Sequence, residues 1–259
     1  MTRRLVAALA CRANGSRLFG KPLQNLLDET TILDQIIEAI KRFEIVDEIV
    51  LGISEGVVNH PFMDVAHAHG VSYILGDPQD VLMRLIQCAR MGRATDVFRV
   101  TTECPWFAQE MLPSLWREHL ESGNDITVCD RLPEGLAFEI YTHDALQLAH
   151  DRGTSRDRSE FCSNYPRTHP SEFKVGVFVP PPKWQRLDLR VTVDYPEDLI
   201  VARAIATHFR DALPLLSTGA IIEFLDSRPD IKDLVAQFVH PEPTWGMIDP
   251  QIWTGDDPA

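Results

Sequence analysis

Apolar positions along this chain fall into two alternating patterns. Residues 5–10, 49–53, 71–75 and 95–100 are short and rich in apolar side chains, the pattern of strands buried on both faces. Between them the period changes. Residues 31–43 place Ile32, Leu33, Ile36, Ile37 and Ile40 at helical spacing, with Thr30 or Thr31 as the N-cap. Residues 61–69 predict a short helix. Residues 80–91 predict another, with Val81, Leu82, Leu85 and Ile86 inward and Asp77 or Asp80 as its cap. Strand and helix alternating at this spacing predict an α/β fold: a single domain on a mostly parallel, doubly wound sheet. Such sheets bind ligands at the C-terminal ends of their strands.

The second half is less regular. Pro105 suggests a helix start, continued over 108–120, with Glu103 as its cap. Residues 125–130 read as a strand. Leu136, Phe138 and Ile140 alternate, which predicts the edge of a β-hairpin with Glu139 on its polar face. A helix follows over 143–152. The polar stretch 153–170, beside Arg152, carries Arg156, Arg158 and Arg167; these arginines could bind an anion, or at least two could belong to a solvated loop. Strands are expected at 173–179 and 187–193, separated by the proline turn at 180–182. Asp194 then precedes a helix over 196–209 and could cap it. Short helices are expected at 216–225 and 230–238. Residues 240–259, rich in Pro, Trp and Asp, read as an extended C-terminal arm on a domain spanning 1–239. Trp245 and Trp253 suggest that the arm packs on something, such as a partner subunit.

Bulk properties narrow the function. The chain has 259 residues, 44% of them hydrophobic and 24% charged, and a net charge of −13. That acidity argues against binding a long nucleic-acid backbone, but not against a small anion in a local basic pocket. The five cysteines (Cys11, Cys88, Cys104, Cys129 and Cys162) include no C-x-x-C pair, which favours a reducing, cytoplasmic setting over a disulfide or zinc framework. The apolar run near the N-terminus is too short for a signal peptide, and no run approaches a membrane span. H-E-x-x-H and G-x-S-x-G are absent.

The chemistry concentrates after the first strand. Arg12, Arg17 and Lys21 supply positive charge, Ser16 a hydroxyl, and Gly15 and Gly20 allow sharp turns. These are groups suited to a polyphosphate. The loop is not a P-loop, because Pro22 stands where Ser or Thr would follow the lysine, and it is not a G-x-G-x-x-G turn.

Five segments, in order, resemble the motifs of the sugar-activating cytidylyltransferases, in particular the branch named after spore coat polysaccharide biosynthesis protein F. Residues 12–21 resemble R-x-x-S-x-R-L-P-G-K, with Gly15 where the branch often has Ser and Phe19 where it has Pro. Residues 76–84 (GDPQDVLMR) resemble G-x-x-x-D-V-L-x-R, and residues 99–106 resemble R-V-T-G-D-C-P-L with Glu103 at the Asp. Residues 132–141 resemble L-P-x-G-L-x-x-E-x-[FY], and residues 189–199 match L-R-x-T-V-D-T-P-E-D-L except for Tyr195. A sixth family stretch, R-x-H-V-T-x-Y-I, is weaker here, with Phe161 at the usual His. The resemblance implies a nucleotide-diphospho-sugar transferase-like fold and a homodimer. It implies CTP as substrate, Mg²⁺ as cofactor and a small anionic acceptor. By the same resemblance Arg12, Arg17 and Lys21 would be catalytic, and Ala10, Arg12, Gly15, Ser16, Asp80 and Arg84 would bind the nucleotide. Glu139 and Arg167 would bind the acceptor, and Glu103 and Asp194 the metal. For Asp80 and Arg84 a helix cap and a surface i,i+4 ion pair are the alternative. Glu103, Phe161 and Tyr195 motivate a rival reading, a subunit that keeps the fold but has lost turnover.

Overall fold

The first strand, β1 (Leu5–Cys11), sends Leu5, Ala7 and Leu9 into one apolar cluster and Val6 and Ala8 into another, and all five are fully buried. A strand buried on both faces needs a helical layer on each side, and the chain supplies both. The computed structural model describes residues 2–159 and 162–240. After β1 come the small ladder β2 (Asn25–Leu27) and β3 (Thr30–Thr31), then α1 (Ile32–Ile40), β4 (Glu48–Ser54) and α2 (Pro61–His69). Next are β5 (Ser72–Gly76), α3 (Val81–Met91), β6 (Asp96–Arg99), α4 (Leu112–Ser122), β7 (Ile126–Val128), β8 (Glu139–Thr142) and α5 (His143–Arg152). The remainder is α6 (Asn164–Thr168), β9 (Val175–Val177), α7 (Pro196–His208), α8 (Thr218–Ser227) and α9 (Pro229–Lys232).

The main sheet has seven strands in the order β5-β4-β1-β6-β8-β7-β9. Only β8 runs against its neighbours; the pairs β5–β4, β4–β1, β1–β6 and β7–β9 are parallel. Helices α3 and α5 cover one face, while α1, α2, α4, α7 and α8 contribute to the larger cluster on the other. This is the mostly parallel, doubly wound α/β sheet that the first half of the chain predicts. No helix among the described residues is long and apolar enough to cross a membrane.

Local signals worked best where caps were explicit. Thr31 accepts a hydrogen bond from the Asp34 amide at 3.1 Å, and the Asp34 carboxylate accepts one from the Thr31 amide at 2.8 Å, closing a capping box on α1. Thr31→Ala is therefore expected to cost about 1 kcal/mol of stability, measurable in urea unfolding. An unchanged midpoint and slope would remove the cap from the account.

Several expectations are corrected. No helix opens at Pro105: residues 104–108 are buried on all sides, and α4 starts only at Leu112. With α4 beginning nine residues further on and Met111 at its N-cap position, Glu103 does not cap it. Glu139 is not on an exposed hairpin edge. Strand β8 lies inside the sheet, between β6 and β7, and Glu139 is 5% exposed. Residues 187–193 form no strand; only an isolated parallel bridge joins Glu134 to Arg190. Asp194 does not cap α7, because Asp198 accepts the Asp194 and Tyr195 amides at 2.8 and 2.9 Å. Residues 233–238 form a 3-10 turn rather than an α-helix. The readings made for Phe161 and for most of the C-terminal arm, with Trp245 and Trp253, lie outside the described residues.

Candidate active site

The parallel strands β1, β4 and β6 end together, and side chains tie their ends. Arg84, only 1% exposed, donates from Nη1 to the carbonyl of Cys11 at 3.0 Å and of Gly52 at 2.8 Å. Thr102 Oγ1 donates to the Ala10 carbonyl at 2.9 Å. Arg84 is thus a buried brace across β1 and β4, not a partner in a surface ion pair. The basic loop is pinned at both of its ends. Asn59 Oδ1 accepts the Ala13 amide at 2.8 Å, and the Gly20 amide donates to the Ala13 carbonyl at 2.7 Å. Gly20 sits at φ +59°, in the left-handed region that a side chain disfavours.

Above these strand ends lies a cleft of about 670 Å³. Ala10, Arg12, Gly15, Ser16, Arg17, Lys21, Arg84, Glu103, Glu139, Arg167 and Asp194 all line it. Asp80, which the resemblance placed at the nucleotide, is not among its lining. Its carboxylate caps α3 through the Met83 amide at 2.8 Å and faces His150 Nε2 at 2.9 Å, so both oxygens are engaged away from the cleft.

At one end of the cleft, Asp194 gathers three cations. Lys21 Nζ lies 2.5 Å from its Oδ1 and Arg17 Nη2 lies 3.0 Å from the same oxygen. Arg190 Nη2 lies 2.9 Å from Oδ2. Burial would raise the Asp194 pKa, but the three cations outweigh it and hold the carboxyl below its ordinary range. Arg190 was missed as a site residue, although it stands in the same motif as Asp194. It is buried and also bound by Glu134 at 2.6 Å and Asp198 at 2.9 Å, which makes it the fixed member of the group. The Val193 amide donates to the Glu103 carbonyl at 3.1 Å, so the two candidate metal carboxylates stand on adjacent segments. Gly135, at φ +103°, lies against the same segment: a Cβ there would come within 2.4 Å of the Thr192 nitrogen.

At the other end, Glu139 accepts from Arg99 and Arg167 at 2.6 Å each and from the Tyr141 hydroxyl at 2.9 Å. Arg167 is also doubly bonded to Asp130, at 2.8 and 3.0 Å. Burial works against the Glu139 charge, yet the charges of Arg99 and Arg167 and the bonds from Arg167 and Tyr141 hold its pKa at about 2. Arg167 therefore belongs to a buried network and not to a solvated loop.

Two thiols near the strand ends are inert. Burial pushes Cys11 and Cys104 up to about 12, so both stay protonated near neutral pH.

Among the described residues no group of three or more His, Cys, Asp or Glu side chains could hold a metal. Two hard oxygen donors, Glu103 and Asp194, do share the cleft. That set suits Mg²⁺, which is commonly held by one or two carboxylates, with substrate phosphate and water completing its octahedron.

Such a cleft, at the C-terminal ends of a largely parallel sheet, lies where doubly wound α/β folds bind ligands. Solved structures with a nucleotidyltransferase-like fold superpose on this chain. A cytidylyltransferase from Leptospira borgpetersenii serovar Hardjo-bovis aligns with a TM-score of 0.81 at 21% identity, covering 89% of this chain and 97% of the other. A CMP:2-keto-3-deoxy-manno-octonic acid synthetase complexed with CTP aligns with a TM-score of 0.61 at 13% identity, covering 79% and 99%. In sequence, an uncharacterized protein of Methanocaldococcus jannaschii is 25% identical over 231 residues, 89% of this chain and 94% of that one. The spore coat polysaccharide biosynthesis protein SpsF of Bacillus subtilis is 22% identical over 231 residues, 86% of this chain and 94% of that one. No family model matches the chain. The resemblance to the spore-coat type of cytidylyltransferase, carried in the sequence by five short motifs, thus extends over most of the chain.

Proposed function

We propose that this protein is a nucleotidyltransferase that transfers CMP from CTP to a small anionic acceptor and releases pyrophosphate. The observation that carries the reading is the convergence of Arg12, Arg17 and Lys21 with Glu103 and Asp194 in one cleft at the strand ends. Arg12, Arg17 and Lys21 would bind the triphosphate and neutralise the charge that develops on the departing pyrophosphate. Ser16 would donate to a phosphate oxygen. Arg84 would act from below, holding the ends of β1 and β4 in place. Arg99 and Arg167, aimed by Glu139, would receive the acceptor's anionic group and fix its attacking oxygen in line with the α-phosphorus. Glu103 and Asp194 would hold Mg²⁺, which when bound supplies Lewis-acid neutralisation of phosphate charge. Cytosine as the base is supported by the motif resemblance and by the cytidylyltransferases among the structural neighbours. Action in surface-polysaccharide synthesis, a homodimeric state and a cytoplasmic setting complete the reading.

The test needs no acceptor. Thermal unfolding is measured with CTP, UTP, ATP and GTP, each with and without Mg²⁺. A ligand at about 100 times its dissociation constant adds ~2.7 kcal/mol, a shift of several degrees for a chain of this size. The expected result is a shift with CTP and Mg²⁺ together that the other nucleotides do not match. No shift with any nucleotide would defeat the proposal.

One observation favours the rival, a fold that has lost turnover: both Asp194 oxygens are already engaged by cations. Glu103→Asp separates the two readings. A strong gain in pyrophosphate release marks a decayed site, and a loss marks a site tuned to glutamate.

A further inference from the structure

Arg17 is a long side chain, 43% exposed, on a surface loop. Left to itself it would populate many rotamers, and a group meant to meet a phosphate loses effect when it is not held. The ring of Tyr195 supplies a surface. The Arg17 guanidinium carbon lies 4.9 Å from the ring centroid, and its Nη1 lies 3.5 Å from the Tyr195 hydroxyl. Tyr195 is itself steadied twice. Its amide is bound by Asp198 at the start of α7, and its ring lies parallel to Phe238, with centroids 3.9 Å apart and planes 4° apart. Phe238 ends the 3-10 turn Asp233–Phe238, which is anchored by the buried Val235. Phe238 and His240 both line the cleft. Phe238 is only half-buried, so this ring is not simply core.

We propose that Tyr195 and Phe238 are positioning residues for Arg17, and that the C-terminal turn is thereby part of the polyphosphate-binding end of the cleft. The proposal rests on the nucleotidyltransferase reading and adds to it. Arg17 must leave Asp194 to meet a phosphate. The aromatic pair keeps the guanidinium over the same spot during that exchange, because a cation over a ring face is held without a carboxylate. Tyr195 supplies that ring.

Binding of CTP and of inorganic tripolyphosphate, each with Mg²⁺, is measured by calorimetry on the full chain. The proteins are wild type, Phe238→Ala, Phe238→Leu and Phe238→Tyr, the first two also in an Arg17→Ala background. Phe238→Ala is expected to weaken both ligands about three- to tenfold, the size of the Arg17–Tyr195 cation–π contact that the unstacked Tyr195 ring no longer holds in place. Phe238→Tyr should restore affinity and Phe238→Leu should not, since leucine keeps the bulk but not the stack. In the Arg17→Ala background the substitution should change nothing further. Equal affinities, rescue by leucine, or a loss that persists without Arg17 would each overturn the clamp while leaving the nucleotidyltransferase reading intact. A wild-type protein that binds neither ligand would overturn both.

Discussion

Asp194→Asn is expected to lower turnover by about a hundredfold or more and to abolish its dependence on Mg²⁺. The carboxylate is the meeting point of Lys21, Arg17 and Arg190, and the substitution removes the one negative charge that all three share. An amide keeps the shape but offers a single weaker acceptor and no charge to a hard cation. Lys21→Ala should be milder, a loss of at least tenfold, because Arg12 and Arg17 remain. Pyrophosphate release titrated against Mg²⁺ checks both variants. Normal turnover in Asp194→Asn would remove the metal assignment, and normal turnover in Lys21→Ala would remove the basic loop from the reaction.

Glu139→Gln should have the largest effect on stability, a loss of about 3–5 kcal/mol, the usual result of removing one partner from a buried ion pair. Arg99 and Arg167 are both largely buried and converge on this carboxylate. Arg167 keeps Asp130, whereas among the described residues no second carboxylate pairs with Arg99. The pH dependence has a definite sign. The Glu139 pKa is depressed from its ordinary 4.5 to about 2. Its contribution is therefore complete above pH 4.5 and is lost as the pH falls towards 2. The gap in unfolding temperature between wild type and Glu139→Gln should be wide at pH 7 and narrow markedly at pH 3. A gap of constant width would sink the assignment of that stability to the Glu139 charge.

Strands β1, β4 and β5 and helices α1 to α3 were legible in the sequence because their period and caps are local properties. The right half of the sheet was not. Pro105 as a helix start and the apolar run at 187–193 suggest regular elements, yet both segments are irregular and held by contacts with residues remote in sequence, such as the Ala108 amide on the Leu136 carbonyl. The same division runs through the site. The basic loop and the positions of Glu103 and Asp194 were visible as motifs. Arg190 as the fixed partner of Asp194, Arg84 as a brace, Glu139 as a buried hub and Phe238 as a wall of the cleft were not. Most depend on neighbours far along the chain: Arg84 is 73 residues from Cys11 and Glu139 is 40 from Arg99, while Arg190, close in sequence to Asp194, is held in place by the remote Glu134. The sequence by itself determined the α/β class, the early βα order and the kinds of groups present, because these depend on side-chain type and short-range period. Only the tertiary structure decided which charges meet and which are buried, because desolvation and pairing arise when the strand ends converge.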